Sequence, residues 1–341
     1  MSMLFADGFD VYANLTEMTR AGWWQDLDTF TINTSGGRFG GGAFSNNAVT
    51  GNYASQALTV ATGRTLYICG WFKHGGTGGA SDVIIRGWGT ARTGNGVFSL
   101  RINTSGDVTL LAGATSVATA SAAIPSGSFA WIELKVLLGS APNNGLMELR
   151  VNEIVVATSA PTINTNTAIG MISFGGSSGA SPGLWDDIVI LDDQGSAPNN
   201  TYPGALRIDT LAANAAGTVN GFSNTYTNVD DTPNATDDDS TYVAATSAAT
   251  KSNYDMADLI VDPNTKLAVQ IRAKMKKSDV GSKTARTYVR SGSSETTGPT
   301  TSLSTDYAWI SSGPIAVDPA TTAAWTLSGI QNALGGIEVV S

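Results

Sequence analysis

The 341-residue sequence contains one cysteine and one histidine, Cys69 and His74. No intramolecular disulfide can form, so the fold depends on packing or on association with other chains. A zinc site needs several Cys or His ligands, which two residues cannot supply. We expect Cys69, in an apolar run, to be a buried small hydrophobe. We expect His74, beside two glycines, to lie exposed in a loop.

Charged residues are also scarce, at 14% of the chain. There are nine basic and fourteen acidic residues up to Asn200, and ten and fourteen after it, so the net charges of the two parts are −5 and −4. Neither part is basic, which disfavours nucleic-acid binding through phosphate neutralisation. No apolar run approaches the roughly 20 residues of a membrane-spanning helix. The first residues show no signal-peptide pattern, and we expect no membrane insertion.

The main pattern in the sequence is the alternation of apolar and polar residues. The stretches 131–136 and 146–151 each alternate apolar with charged residues, among them Glu133 and Glu148, and a turn-rich segment separates them. This pattern predicts an antiparallel hairpin with one solvated face, on which both glutamates lie. Similar short runs recur with turn formers between them. Such spacing is typical of a β-sandwich or barrel.

A polar stretch rich in turn formers, residues 192–203, divides the alternating runs into two series. We therefore predict a first domain over residues 1–193, a linker over 194–206 and a second domain over 207–341. One short helix is predicted within residues 319–332.

Few residues are suited to catalysis. The chain has six glutamates and no compact Glu-x-Asp-x-x-Glu array of the sort that sandwich-fold glucanases carry, and its lone His74 has no plausible nucleophile partner. We therefore predict that the protein is not an enzyme. A glycan-degrading enzyme that uses Glu133 or Glu148 is the least favoured alternative.

Acidic clusters offer the candidate metal ligands. Asp186-Asp187 with Asp192-Asp193 is one cluster, and Asp230-Asp231 with Asp237, Asp238 and Asp239 is the other. Oxygen-rich loops bind calcium, but neither cluster has the spacing of an EF-hand loop, and aspartate is also an ordinary turn former. No cofactor is expected; if calcium binds, Asp237, Asp238 and Asp239 are its candidate ligands.

Trp88 is the candidate ligand-binding residue. It lies in the sequence Arg86-Gly-Trp-Gly, where flanking glycines suggest an exposed loop from which an indole can stack on a sugar ring. Trp131 and Trp185 begin predicted strands instead, so we expect them to pack at the edge of the core.

Four motifs in a fixed order resemble a concanavalin A-like, or laminin-G-type, jelly roll. They are Phe-Ala-Asp-Gly-Phe-Asp at 5–10, Trp-Ile-Glu-Leu-Lys at 131–135, Glu-Leu-Arg-Val-Asn-Glu at 148–153 and Trp-Asp-Asp-Ile-Val-Ile-Leu-Asp-Asp at 185–193. The resemblance implies that the first and last strands of this domain lie side by side. Lectin-type members of the fold bind glycans, often with calcium, but no residue set here matches such a site.

The stretch 192–209 is similar to the linker of tailed-phage and prophage virion proteins, and so are the shorter pieces 239–243, 289–292 and 324–326. In those proteins a second sandwich follows the jelly roll. The resemblance implies a component of the virion, made in the cytoplasm of the host bacterium, in a tail, baseplate, fibre or capsid-decoration position.

Together, these observations predict an all-β chain with a jelly-roll sandwich followed by a smaller β-sandwich. The predicted function is that of a non-enzymatic structural component of a bacteriophage virion. Its expected partners are other virion proteins and further copies of itself, with a trimer as one arrangement. The alternative is a carbohydrate-binding module that recognises host-surface glycans through the jelly-roll loops.

Overall fold

A computed structural model of the chain describes residues 3–25, 30–46, 54–75, 82–90, 92–175 and 183–341. The chain forms two compact units. The first comprises Met1–Leu15 and Gly22–Ile208, and the second comprises Thr16–Ala21 and Asp209–Ser341. Strands account for nearly all of the regular structure, which confirms the predicted all-β class.

The first unit is built from antiparallel strands. In chain order the described strands are β1 (Met3–Asp7), β2 (Trp24–Gln25), β3 (Phe30–Asn33), β4 (Ala43–Asn46), β5 (Ala54–Val60), β6 (Thr65–Lys73), β7 (Asp82–Trp88), β8 (Phe98–Ile102), β9 (Val108–Ala112), β10 (Thr115–Ala120), β11 (Phe129–Leu137), β12 (Leu146–Val151), β13 (Ile154–Thr158), β14 (Ile169–Phe174) and β15 (Gly183–Asp192). Helix α1 (Leu15–Arg20) follows β1, and its residues from Thr16 onward group with the second unit.

These strands form two sheets. The eight-stranded sheet has the order β13-β12-β11-β6-β15-β4-β3, with β1 paired to β15, and the seven-stranded sheet has the order β10-β9-β8-β7-β14-β5-β2. The pairing of β1 with β15 confirms that the first and last strands lie side by side. The predicted hairpin of β11 and β12 is also present, with Glu133 opposite Arg150.

The core lies where the two sheets pack face to face. Phe174 of the seven-stranded sheet meets Trp185 of the eight-stranded sheet with ring centroids 5.3 Å apart, and Trp24 meets Phe44 at 6.0 Å. Each strand alternates, so that every second side chain enters this layer. Burial of each such large apolar side chain stabilises the fold by roughly 1.5–3 kcal/mol. Because alternate side chains are fixed in this layer, the remaining side chains of each strand point outward from the two sheets.

The outer face of the eight-stranded sheet is covered by residues 202–208, which we call the strap. The Gly204 N–H donates to Glu133 at 3.0 Å, the Tyr202 hydroxyl donates to Glu148 at 2.9 Å, and the Trp71 indole donates to the Leu206 carbonyl at 2.7 Å. Residues 202–206 of the predicted linker thus pack on this sheet and belong to the first unit.

The strap corrects the prediction that the glutamates of this face are solvated. Glu133 is 1% exposed, and its burial raises the pKa of its carboxyl, although the Trp131 and Gly204 donors oppose the shift. Alternation showed correctly which face Glu133 occupies. It did not reveal that a segment seventy residues later in the sequence covers that face.

The second unit is also mainly β. Its strands are β16 (Ala213–Asn220), β17 (Lys251–Met256), β18 (Arg272–Met275), β19 (Thr284–Ser291), β20 (Ser294–Thr297), β21 (Thr301–Ser302), β22 (Ala308–Ser311) and β23 (Leu334–Val339). Six of them form a sheet in the order β16-β17-β23-β19-β20, with β21 paired to β19, and β18 pairs with β22. A 3₁₀ turn spans Tyr226–Asn228.

One short helix, α2 (Leu327–Gln331), lies within the region where the sequence predicts it. The Thr326 hydroxyl caps this helix by accepting a hydrogen bond from the Gly329 N–H at 2.9 Å, which satisfies one of the free amide groups at the helix start. Among the described residues, neither α1 nor α2 nor any other helix has the length and hydrophobicity to cross a membrane.

Candidate functional site

A row of polar side chains crosses the seven-stranded sheet. Ser173 of β14 lies directly opposite Ser55 of β5 on one side and Arg86 of β7 on the other, and Arg86 lies opposite Ser99 of β8. The neighbours of these residues along their strands, such as Ile172 and the side chains of Phe174 and Phe98, are buried in the core. The row therefore lies on the outer face of the sheet, and we call it the serine–arginine row.

Trp88 flanks the serine–arginine row on the same face. Its indole N–H donates to the Ser173 hydroxyl at 2.8 Å, and the Ser173 and Ser55 hydroxyls are hydrogen-bonded at 2.8 Å. The guanidinium of Arg86 lies 5.0 Å from the centroid of the Trp88 ring, and that of Arg92 lies 5.7 Å from it. These contacts fix the indole beside the row and hold two cationic groups against it.

The expected exposure of Trp88 is wrong. The residue is the last of strand β7, is 4% exposed and packs with Val83 and Met171 in a small cluster apart from the main core. Glycine neighbours suggested a loop. Position 87 instead requires glycine within strand β7, because a Cβ at this position would lie 2.2 Å from the Phe98 ring of the adjacent strand. Trp88 thus belongs to the floor of a site rather than to its rim.

Strand β8 carries two donors on this face that have no partner in the described part of the chain. Ser99 is 1% exposed and its hydroxyl is unsatisfied, and the Nε of Arg101, two residues along β8, is buried without an acceptor. A buried donor left without an acceptor costs about 1–3 kcal/mol. A ligand that brings acceptor atoms to this face recovers that free energy, so the arrangement suits a molecule rich in oxygen acceptors.

Solvent reaches this face near its two ends. Arg92 is exposed and Arg101 is half-buried, whereas the row between them is buried. The Trp88 end and the Arg101 end are about four strand residues apart, or roughly 13 Å. This length fits an extended ligand with several polar groups better than a single small ion.

No single motif in the sequence marks the serine–arginine row. Its members come from four strands, and each is an ordinary Ser or Arg in an alternating run. One signal was available: the hairpin of β7 and β8, residues 82–102, contains three arginines and one aspartate, in a chain whose net charge is −9. Counting charges along each hairpin, rather than over each half of the chain, would have shown that this one is basic.

His74 and Cys69 are both buried. The expectation of an exposed histidine is wrong, because His74 is 0% exposed directly after strand β6, and this burial lowers its pKa, with Asp82 acting in the opposite direction. The prediction for Cys69 is confirmed. Burial, and to a lesser degree the nearby Glu133 carboxylate, raises the pKa of the Cys69 thiol well above its usual value, which leaves it a poor nucleophile.

The candidate calcium ligands lie in the second unit, where lysines neutralise them. Asp238 contacts the Lys274 ammonium at 2.6 Å, and Asp239 accepts from Lys276 at 2.7 Å. Asp237 accepts hydrogen bonds from the N–H and hydroxyl of Thr241. Carboxylates already paired with ammonium groups do not fit a calcium ion. Throughout the described residues, no three His, Cys, Asp or Glu side chains are placed to hold a metal.

Lys274 also binds the helix residues that group with the second unit. Its ammonium lies 2.8 Å from the Glu17 carboxylate, and its pKa is raised by Asp238 and Glu17 against the opposing effect of burial. The acidic cluster therefore has a structural role in the second unit. It holds a network of ion pairs around a mostly buried lysine.

No protein-family model matches the sequence, and no curated protein matches it either. Solved structures do share its fold. A galectin-like protein of unknown function from Bacillus subtilis has 10% identity and a TM-score of 0.39, covering 56% of this chain and 96% of its own. Lectin UEA-II in complex with galactose has 9% identity and a TM-score of 0.38, covering 56% and 99%.

The similar structures also include enzymes. Alginate lyase Aly36B has 16% identity and a TM-score of 0.36, covering 55% of this chain and 95% of its own. A second alginate lyase is matched over 82% of its length, whereas a sialidase is matched over only 26% of its length. These likenesses concern the jelly-roll fold alone. They correct the prediction that the protein is not an enzyme, because the same fold occurs in enzymes as well as in lectins.

Proposed function

We propose that the first unit binds carbohydrate on the outer face of its seven-stranded sheet. The observation that supports the proposal is the serine–arginine row, with its unsatisfied donors at Ser99 and Arg101. Sugars carry many hydroxyl and ether oxygens that accept hydrogen bonds from such donors. Ligand sites in general combine a buried apolar surface with a few well-placed polar groups, and Trp88 supplies that surface here.

Each residue has a defined part in this proposal. Arg101, which is half-buried, donates to ligand oxygens from its guanidinium. Ser99 is 1% exposed, so its hydroxyl donates only to a ligand group that enters beside Arg101. Trp88 positions the row through its hydrogen bond to Ser173. This places the binding surface on a sheet face, whereas the sequence suggested the loops at the ends of the sandwich.

A glycan array with the full chain, followed by calorimetric titration of the hits, tests the proposal. We expect Arg101→Gln to weaken binding at least tenfold, because hydrogen bonds to a charged donor contribute about 1.5–3 kcal/mol. Trp88→Phe keeps an aromatic ring but removes the indole donor, and we expect a smaller loss of affinity.

Arg207→Gln is the matched control. Arg207 is an exposed arginine of the strap, beside Phe39 and away from the seven-stranded sheet. The proposal fails if the array yields no binder. It also fails if Arg101→Gln binds like the wild type while Arg207→Gln does not.

A second proposal concerns where the protein acts. The likeness of residues 192–209 to phage linkers supports a place in a tailed-phage virion, in contact with other virion proteins and with copies of this chain. A host-surface glycan is a natural ligand for such a component. Mass spectrometry of particles purified from a lysate tests this proposal, and absence of the chain from intact particles contradicts it.

A further inference from the structure

Arg101 is half-buried, and no acidic residue lies beside it in the sheet. Its cross-strand neighbours are Val83 on β7 and Thr109 on β9, neither of which is acidic. Within the described ranges its buried Nε has no hydrogen-bond acceptor. A charged donor in this position favours an anionic or strongly accepting partner, because such a partner compensates for the hydration that the Nε has lost.

The acidic residues that flank this region in sequence, Asp82 and Asp107, have other surroundings: Asp82 lies opposite Ile102 rather than Arg101, and its charge acts on His74. The residues from 83 to 106 include no aspartate or glutamate, and neither do the stretches 75–81 and 175–182 that precede β7 and follow β14. Asp107, the next acidic residue along the chain, accepts hydrogen bonds from the Ala122 N–H and the Asn103 amide. Its carboxylate therefore already has partners in its own loop.

Ser99 adds a neutral donor next to this cation. Both residues point outward from β8, two positions apart, which places their side chains on one face about 7 Å apart along the strand. A carboxylate or sulfate group accepts several hydrogen bonds at once, and the planar guanidinium matches its geometry. A neutral sugar hydroxyl satisfies the serine equally well but leaves the charge of Arg101 without a counter-ion.

From these contacts we infer that the ligand of this face is an acidic saccharide, held by Arg101 through a carboxylate or sulfate group. The inference rests on the proposed carbohydrate binding and specifies its substrate class. Arg92, exposed beside Trp88 at the other end of the row, provides a second cationic contact for a longer acidic chain. Both contacts are weakened by salt, because their attraction to the ligand is partly electrostatic.

The experiment uses the full chain and a panel of oligosaccharide pairs. Each pair consists of a uronate oligomer and its carboxyl-reduced form, or of a sulfated oligomer and its desulfated form. Affinity is measured by calorimetry at low and at moderate salt. We expect the acidic member of at least one pair to bind tenfold or more tightly than the neutral member, and the difference to shrink as salt is added.

Three variants test which residue causes the preference for the acidic member. Arg101→Gln should weaken binding of the acidic member far more than binding of the neutral member, so that the preference for the acidic member disappears, and Arg101→Lys should restore part of it. Arg207→Gln should keep the full preference. Equal binding of both members, lowered equally by Arg101→Gln, overturns the inference but leaves carbohydrate binding in place. No binding to any member overturns the proposed function itself.

Discussion

The two outer faces of the first unit bury polar side chains in different ways. On the eight-stranded sheet the strap supplies partners from the chain itself, so that Glu133, Glu148 and Trp71 are all hydrogen-bonded to residues 202–208. On the seven-stranded sheet Ser55, Ser173 and Trp88 satisfy one another, whereas Ser99 and Arg101 keep unused donors.

This difference distinguishes a face covered by the strap from the proposed binding face. Buried polar groups are normally satisfied within the protein, and exceptions call for a physical explanation. On the eight-stranded face the carboxylates of Glu133 and Glu148 are occupied by strap donors, although the Trp131 indole N–H has no hydrogen-bond partner among the described residues. The seven-stranded face departs from the rule at two adjacent outward positions of one strand, and a ligand is the explanation that we propose.

The largest expected effect concerns the close packing of strands β7 and β8 beneath the proposed binding face. Gly87→Ala places a Cβ within 2.2 Å of the Phe98 ring, so we expect the free energy of unfolding to fall by about 3 kcal/mol. Gly89→Ala is the matched control, since its Cβ meets no atom closer than the Thr167 side chain at an ordinary 3.4 Å. Urea denaturation of both variants measures the difference. Equal stability of the two variants contradicts the packing described for β7 and β8.

The next largest effect concerns the eight-stranded sheet, where Asp186 makes the stability of the fold depend on pH. Burial, together with the charges of Asp10 and Asp7, raises the pKa of Asp186 to about 6, although the Arg38 and Asp187 N–H groups oppose the shift. A raised pKa means that the folded state prefers the protonated carboxyl. The stability that this group contributes is therefore complete below pH 4 and is lost as the pH rises through 6.

Asp186→Asn removes this titration. We expect the variant to lack roughly 2–3 kcal/mol of the stability change that the wild type shows between pH 4 and 7. Denaturant unfolding at a series of pH values measures how the free energy of unfolding of each protein changes with pH. If the two proteins have the same pH dependence over this range, Asp186 is ionised in the fold at pH 5 and its burial is compensated.

The smallest effect compares two serines of the same row. Ser173→Ala removes the acceptor of the Trp88 indole, so we expect a loss of about 1 kcal/mol. Ser99→Ala removes a buried hydroxyl without a partner among the described residues, so we expect no loss or a slight gain in stability. Thermal unfolding of the two variants makes the comparison. A loss at Ser99 equal to that at Ser173 shows that the protein itself satisfies the Ser99 hydroxyl.

The strands themselves followed from local patterns. Alternation predicted the hairpin of β11 and β12, whereas the pairing of β1 with β15 was implied by the resemblance to concanavalin A-like jelly rolls. Turn-rich segments and the short helix α2 were also found where residue preferences indicate them. These features depend on residues close in sequence, or on the strong requirement that a sandwich bury one side of each strand.

The site depended on information of another kind. The sequence singled out Trp88 as an exposed residue because of its flanking glycines, whereas Gly87 makes room for Phe98 and the indole is buried. His74 was misplaced for a similar reason. Side-chain burial on an outward face depends on what covers that face, and no local pattern encodes it.

The sequence alone determined the all-β class, the inward and outward sides of each strand and the order of the strands along the chain, because the two-residue period of a strand is a local property. Only the tertiary structure decided which outward residues meet across four strands, and which of them the strap covers. Register between distant strands sets both outcomes, and a single-residue shift in it would move Ser173, Arg86 and Ser99 away from one another.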